Sequence, residues 1–332
     1  MAANNILAKM AVMISAQTAQ FNSALQQSQK NLGSFGATVK SVAAGVGLAF
    51  GARELSQGII NTIGIISDFE KTMSEVKAIT GATGKEFNDL ENDAKRLGAS
   101  TKFTATEVGK LQVAYGRLGF TTKEILDATS ATLDLAAATG EDLAKSADVA
   151  GSTVRGFGLN AKETQRVVDV MAASFNQTAL GLENFTESMK YVAPVANAAG
   201  ATVEETTALL GTLADAGIRG SMAGTSLRKI FTDMTKDGRP LSERLAELAA
   251  KGITLQDSMD EVGRTAQTSL LILAKNTDKT NALAGAFKNV SGEAAKMARI
   301  MQDNLAGDVE KLSSAWEGLI LKMSNTSWMR KV

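Results

Sequence analysis

Few residues of this chain are equipped for bond-making chemistry. Cysteine and histidine are both absent, which excludes disulfides, thiolate nucleophiles, imidazole bases and nearly every ordinary zinc site. Carboxylates and glycine-rich turns remain. Glu204 and Glu205 could in principle supply the acid and base of glycan hydrolysis, but both fall in the first turn of an expected helix, where acids serve the helix dipole. Gly45-Val46-Gly47 followed by Gly51 has the outline of a dinucleotide-binding turn. Its third glycine comes one place late and no strand leads into it, so close helix packing through small residues explains it better. Gly84-Lys85 has the outline of a P-loop terminus, yet Ile79 stands at the first glycine position and Glu86 replaces the magnesium-binding hydroxyl. A carboxylate there would repel phosphate. Tyr115, Tyr191, Trp316 and Trp328 are too sparse, and too little interleaved with basic residues, to form a nucleic-acid stacking surface. The residues therefore offer no catalytic, cofactor-binding or metal-binding set, no cofactor and no enzyme, and point to work done by binding and assembly.

Such work needs elements with faces to bury, and the composition supplies helices. Hydrophobic residues make up 44% of the 332, aromatics only 5%, and 2 prolines, Pro194 and Pro240, interrupt the chain. Alanine-rich, proline-poor segments favour helices packed through small side chains. Lys plus Arg and Asp plus Glu balance at 35 each, so no net field draws the chain to nucleic acid. The balance is uneven along the sequence: before Glu54 the charged side chains are Lys9, Lys30, Lys40 and Arg53, four cations and no anion.

Helix starts are marked by a hydroxyl followed three residues later by an acid, the capping box. The pairs are Thr83 with Glu86, Thr104 with Glu107, Thr121 with Glu124 and Thr202 with Glu205, with looser versions at Thr139 and Asp142 and at Asn160 and Glu163. Gly98, Gly119, Gly140, Gly200 and Gly217 stand where the preceding helices should end. Val108, Leu111, Tyr115 and Leu118 form one apolar stripe; Ile125, Thr129, Leu133 and Ala136 form another. Thr104, Glu107, Leu111 and Gly119 recur as Thr202, Glu205, Leu209 and Gly217, either an internal duplication or what two capped amphipathic helices share. Leu270 to Ala274 reads as a buried run. Val309, Leu312, Trp316, Leu319 and Ile320 follow helical spacing, with Trp316 expected as a core anchor.

The expected fold is all-α: a compact multi-helix bundle of short capped helices, preceded by a longer N-terminal helical hairpin or coiled-coil segment, with a short strand over Leu7 to Ser15. Three parts are expected: 1–67, an N-terminal helical segment for self-association or membrane proximity; 68–239, a core helical domain; and 240–332, a C-terminal helical domain beginning at Pro240. The uncharged runs Ser41 to Ala52 and Leu55 to Ser67 are each shorter than the ~20 residues of a membrane span. Met1 to Ala16 lacks a secretory signal pattern, so synthesis in the cytosol is expected.

The wording of the middle is more specific than its periodicity. Phe69-Glu70-Lys71, Val76 through Gly81 and Phe103-Thr104-Ala105-Thr106-Glu107-Val108 resemble the core region of phage tail tape measure proteins. The resemblance continues through Leu133 to Leu143, Lys190 to Ala196 and Ala216 to Arg228. It fades through Asp303 to Asp308 and Ser314 to Leu319, so it covers roughly residues 65 to 323.

The resemblance implies a structural virion component that occupies the tail-tube lumen, sets tail length, and leaves at infection, sometimes assisting genome delivery. It places the chain in the virion tail lumen, and in the host bacterial cytoplasm during assembly. It also implies partners: copies of itself, tail-tube subunits, tail tip proteins and tail assembly chaperones. No specific nucleic acid is expected, and membrane contact only during infection. Such proteins usually run longer, so the ruler itself is expected outside these residues. Two other functions follow from particular features: a membrane-active delivery protein inserting residues 41–67, and a remnant or fragment of a tail-associated peptidoglycan-cleaving protein. Thr18 to Ser67 is the expected self-association segment.

Overall fold

In a computed structural model, the backbone is described for residues 52–324 and the side chains for residues 62–322. The strand at Leu7 to Ser15, the turn at Gly45 to Gly51, Trp328 and most of Thr18 to Ser67 lie outside them. Contact density divides the chain after Ile63, and the residues from Gly64 onward form the second unit.

The described residues are all-α, with 15 helices joined by short turns and no strand. They run α1 (Ala52–Thr80), α2 (Gly84–Ser100), α3 (Ala105–Arg117), α4 (Thr122–Thr139), α5 (Leu143–Gly156), α6 (Thr164–Gln177), α7 (Leu182–Ala198) and α8 (Val203–Asp215). Then come α9 (Gly220–Met234), α10 (Leu241–Lys251), α11 (Leu255–Val262), α12 (Gln267–Lys275), α13 (Thr277–Lys288), α14 (Glu293–Met301) and α15 (Leu305–Ser324), with a 3-10 turn at Ala161–Glu163 before α6. The run Leu55 to Ser67 belongs to α1, which continues to Thr80. No helix among the described residues is long and apolar enough to cross a membrane.

Local chemistry sets the boundaries. Reciprocal capping boxes start α3 at Thr104–Glu107, α4 at Thr121–Glu124 and α8 at Thr202–Glu205. Each satisfies two backbone donors that the first turn leaves open. Thr83 stands before α2 but its side chain makes no cap, so the box expected with Glu86 does not form. Thr139 closes α4, and Asp142 alone caps α5 by accepting from the amides of Ala144 and Lys145. Asn160 caps the 3-10 turn. A further box, Thr254 with Asp257, starts α11. Pro240 immediately precedes α10. Gly140 ends α4 in the left-handed region at φ 71°, which a Cβ would disfavour; Gly119, Gly200 and Gly217 also have positive φ.

Gly98 departs from its expected role. It lies inside α2, and a Cβ there would stand 2.6 Å from the Cα of Ala105, so it lets the start of α3 press against α2.

Two main clusters form the core. One gathers Phe69, Met73, Leu90, Leu111, Tyr115, Ile125 and Leu133 from α1 to α4; the other gathers residues of α4 to α12, including Met171, Phe185, Leu210 and Phe231. Val108, Leu111 and Tyr115 are buried as their stripe requires, while Leu118, at the end of that stripe, is exposed. Ile125, Thr129, Leu133 and Ala136 are all buried. Within Leu270 to Ala274, the residues Leu270, Leu273 and Ala274 are buried, as one helical face must be. The last helices return to the first: α14 packs on α4 and α6, and α15 on α2 and α3. Leu321, near the end of α15, thereby joins the cluster built from α1 to α5.

Candidate interaction surface

Among the described residues, Gly84-Lys85, Glu204 and Glu205, which could have carried chemistry, are engaged in helix structure and ion pairs. Gly84 is the first residue of α2, and Lys85 pairs with Asp89 one turn on at 2.6 Å, so no phosphate cradle forms there. Glu204 is buried and pairs with Arg166 at 3.3 Å. Glu205 closes the α8 capping box and pairs with Lys288 at 2.7 Å. Partial burial works to raise the Glu205 carboxyl, but hydrogen bonds from Lys288 and the Thr202 amide hold it below the usual carboxylate range. Adjacent in sequence, the two acids serve different helix contacts. Among the described residues no group of three or more acids could hold a metal ion.

A cleft of about 240 Å³ separates Lys102, Phe103 and Glu107 from Glu310, Ser313 and Ser314. Its polar walls are already paired: Ser314 donates to the Lys102 carbonyl and Lys102 meets Glu310 at 3.2 Å. Glu107 belongs to the α3 box. The cleft is the seam along which α15 docks.

Asp169 on α6 is buried, and its carboxyl accepts from the amides of Gly292 at 2.8 Å and Ala294 at 3.0 Å. It thus caps α14 from another helix. Near it, burial first and the Asp169 charge second raise the Asp134 carboxyl to about 6, against the opposing pull of Arg299 on α14.

The remaining feature is a surface. Leu305 (74% exposed), Val309 (56%), Leu312 (46%) and Trp316 (55%) form an apolar stripe along α15. Trp316 is therefore not the core anchor that its spacing suggested. The helix instead docks through its opposite side: the Thr106 amide and hydroxyl both donate to Glu317 at 2.9 Å, Gly318 packs against Ala99, and Leu321 is buried. Ile300 and Met301, at the end of α14, are also exposed. A periodic apolar pattern reports that a face must be covered without saying by what, which is why sequence alone missed this surface.

Short helices, acids engaged in helix contacts and an open apolar face make the described residues an all-α body with an exposed apolar surface. The chain belongs to the family described as phage-related minor tail protein, whose model matches residues 91–292. It is 34% identical to the tape measure protein of Pneumococcus phage Dp-1, an alignment covering 96% of this chain and 30% of that protein. It is 29% identical to the probable tape measure protein of Escherichia phage P2, covering 93% of this chain and 42% of that protein. The chain thus spans less than half the length of either relative. No solved structure matches it.

Proposed function

We propose that the chain supplies a helical portion of a tail tape measure: a structural component that resides in the tail-tube lumen, takes part in setting tail length, and does so without catalysis. The observation that carries this reading is the 34% identity extending over 96% of the chain to a tape measure protein. The occupied acids Glu204 and Glu205 support it, since both are committed to helix contacts. Its partners on this reading are copies of itself, tail-tube subunits, tip proteins and assembly chaperones, met first in the bacterial cytoplasm and then in the virion tail.

The test is genetic and visual. Tails are imaged by negative-stain electron microscopy from phage carrying an in-frame deletion of the segment corresponding to residues 64–324. Absent tails, or tails of uncontrolled length, are expected; a population of normal tails at the original length would overturn the proposal. Peptidoglycan zymography of the purified chain should be blank, and a cleared band would return the carboxylates to consideration.

A further inference from the structure

Thr104, Glu107, Leu111 and Gly119 recur as Thr202, Glu205, Leu209 and Gly217, and the helices around them recur at the same spacing. Helices starting at 84, 105, 122 and 143 are answered by helices starting at 182, 203, 220 and 241, each 98 residues on. Those ending at 100 and 117 are answered by those ending at 198 and 215. Capping fixes where one helix begins but not how far away the next one starts, because helix and loop lengths vary freely. The connections agree as well. The Gly119 and Phe120 amides donate to the carbonyls of Gly116 and Tyr115, and one period later the Gly217 and Ile218 amides donate to those of Ala214 and Leu213. Gly140 and Gly238 both take positive φ three residues before Leu143 and Leu241, which open α5 and α10 and are buried. Upstream, the Thr80 hydroxyl donates to the Val76 carbonyl and accepts from the Ala82 amide, as Thr178 does with Ser174 and Leu180.

We infer that residues 66–163 and 164–261 are two copies of one helical module, stacked through a seam that the chain uses more than once. At the junction of the copies α6 packs on α4 and α5, and α7 on α5; one period on, α12 packs on α9 and α10, and α13 on α10. α12 ends at Lys275, 98 residues after Gln177 ends α6. Among the described residues α2 meets no earlier copy as α7 meets α5, and α15 stands in that place. Gly318 of α15 packs on Ala99; Asn197, the counterpart of Ala99 in the second copy, lies beside Gly158 just past α5. Thus α12, α13 and α15 act as the caps that cover the end faces of a stack of repeats.

The copies differ where a glycine has moved. Gly98 lets α3 close on α2, and its counterpart is Ala196; Gly224 lets α9 close on α7, and its counterpart is Leu126. The tight crossing is therefore α2 with α3 in the first copy and α7 with α9 in the second. α3 also rests on α5, whereas its counterpart α8 rests on α13.

A saturation mutational scan of the full-length chain, read as soluble yield of a fluorescent-protein fusion, tests the inference. Tolerance along 66–156 should match tolerance along 164–254 best at an offset of 98. An equal match at 94 or 102, about one helical turn away, would reduce the agreement to helix periodicity and overturn it. Excision supplies a second test. Deleting 130–227 joins Thr129 of α4 to Arg228 of α9 in phase, and the shortened chain is expected to stay helical with one cooperative urea transition. Deleting 130–225 or 130–229 turns the second half of the hybrid helix by about 200° and should abolish that transition. Three variants of indistinguishable stability would overturn the shared module. None of these results bears on the tail-length test, which reads the role of the segment and not its internal repetition.

Discussion

Gly224 shows how much a single atom can matter where two helix backbones meet. On α9 it faces α7 so closely that a Cβ would stand 2.4 Å from the Ser188 carbonyl oxygen and 2.8 Å from its Cα. Backbone cannot yield as a flexible side chain can, so Gly224→Ala should destabilise the protein by about 1–3 kcal/mol in urea titration. Gly285 on α13 has nothing within 4 Å of the same added atom and is exposed. Gly285→Ala should therefore stabilise by about 0.5–1 kcal/mol through reduced unfolded-state entropy and better helix propensity. Asp134 offers a pH-dependent counterpart. Its folded pKa of about 6 lies above that of an unfolded aspartate, so the folded state binds this proton more tightly. Its destabilising contribution is absent below about pH 4, grows as pH rises toward 6, and is complete above it. Asp134→Asn should gain on the order of 1–2 kcal/mol at pH 7.5, allowing for partial solvent screening, and nothing at pH 3.5. Urea midpoints measured across that range decide it.

At the scale of helices, most boundaries were legible where the signal was local, although Thr83, with the same spacing to Glu86, precedes α2 without closing a box. The Thr104, Thr121 and Thr202 boxes formed as their spacing required, because both partners lie within one turn and need nothing from elsewhere. The Thr254–Asp257 box carries the same signal with a shorter acid. Gly98 and Trp316 failed for the opposite reason. A glycine permits both a left-handed stop and a close crossing, and only the position of Ala105 decides between them. The apolar face of α15 could have been core, and only the docking of Glu317, Gly318 and Leu321 turns it outward. The Asp169 cap was equally hidden, since it joins residues from α6 to the start of α14, far apart in sequence. That cap makes α14 depend on a distant side chain. Asp169→Ala would leave the Gly292 and Ala294 amides without their acceptor, and a lost cap costs about 1–2 kcal/mol. Hydrogen exchange should then accelerate across α14 before it does in α7 or α9, and uniform acceleration over the whole chain would contradict a local latch.

Across the molecule, the path of the chain binds late helices to early ones. After the turn at Lys236 to Arg239, α13 packs on α8, α14 on α4 and α6, and α15 on α2. Salt bridges repeat the pattern at the surface, with Lys279 on Asp215, Lys288 on Glu205 and Glu310 on Lys102. A cut in that turn would therefore sever the backbone while leaving the apolar contacts intact. Lys236 is exposed there, beside the positive-φ Gly238, and trypsin can cleave after it but not after Arg239, which precedes Pro240. The nicked protein should run as two bands under denaturing conditions yet elute as one species from a sizing column. The fragments should separate only at urea concentrations that melt the helical signal. Their separation in plain buffer would mean that the contacts of α13, α14 and α15 contribute too little to hold the unit together, because once the chain is cut only non-covalent contacts remain, burial between non-consecutive helices foremost, with the salt bridges and the Asp169 hydrogen bonds beside it.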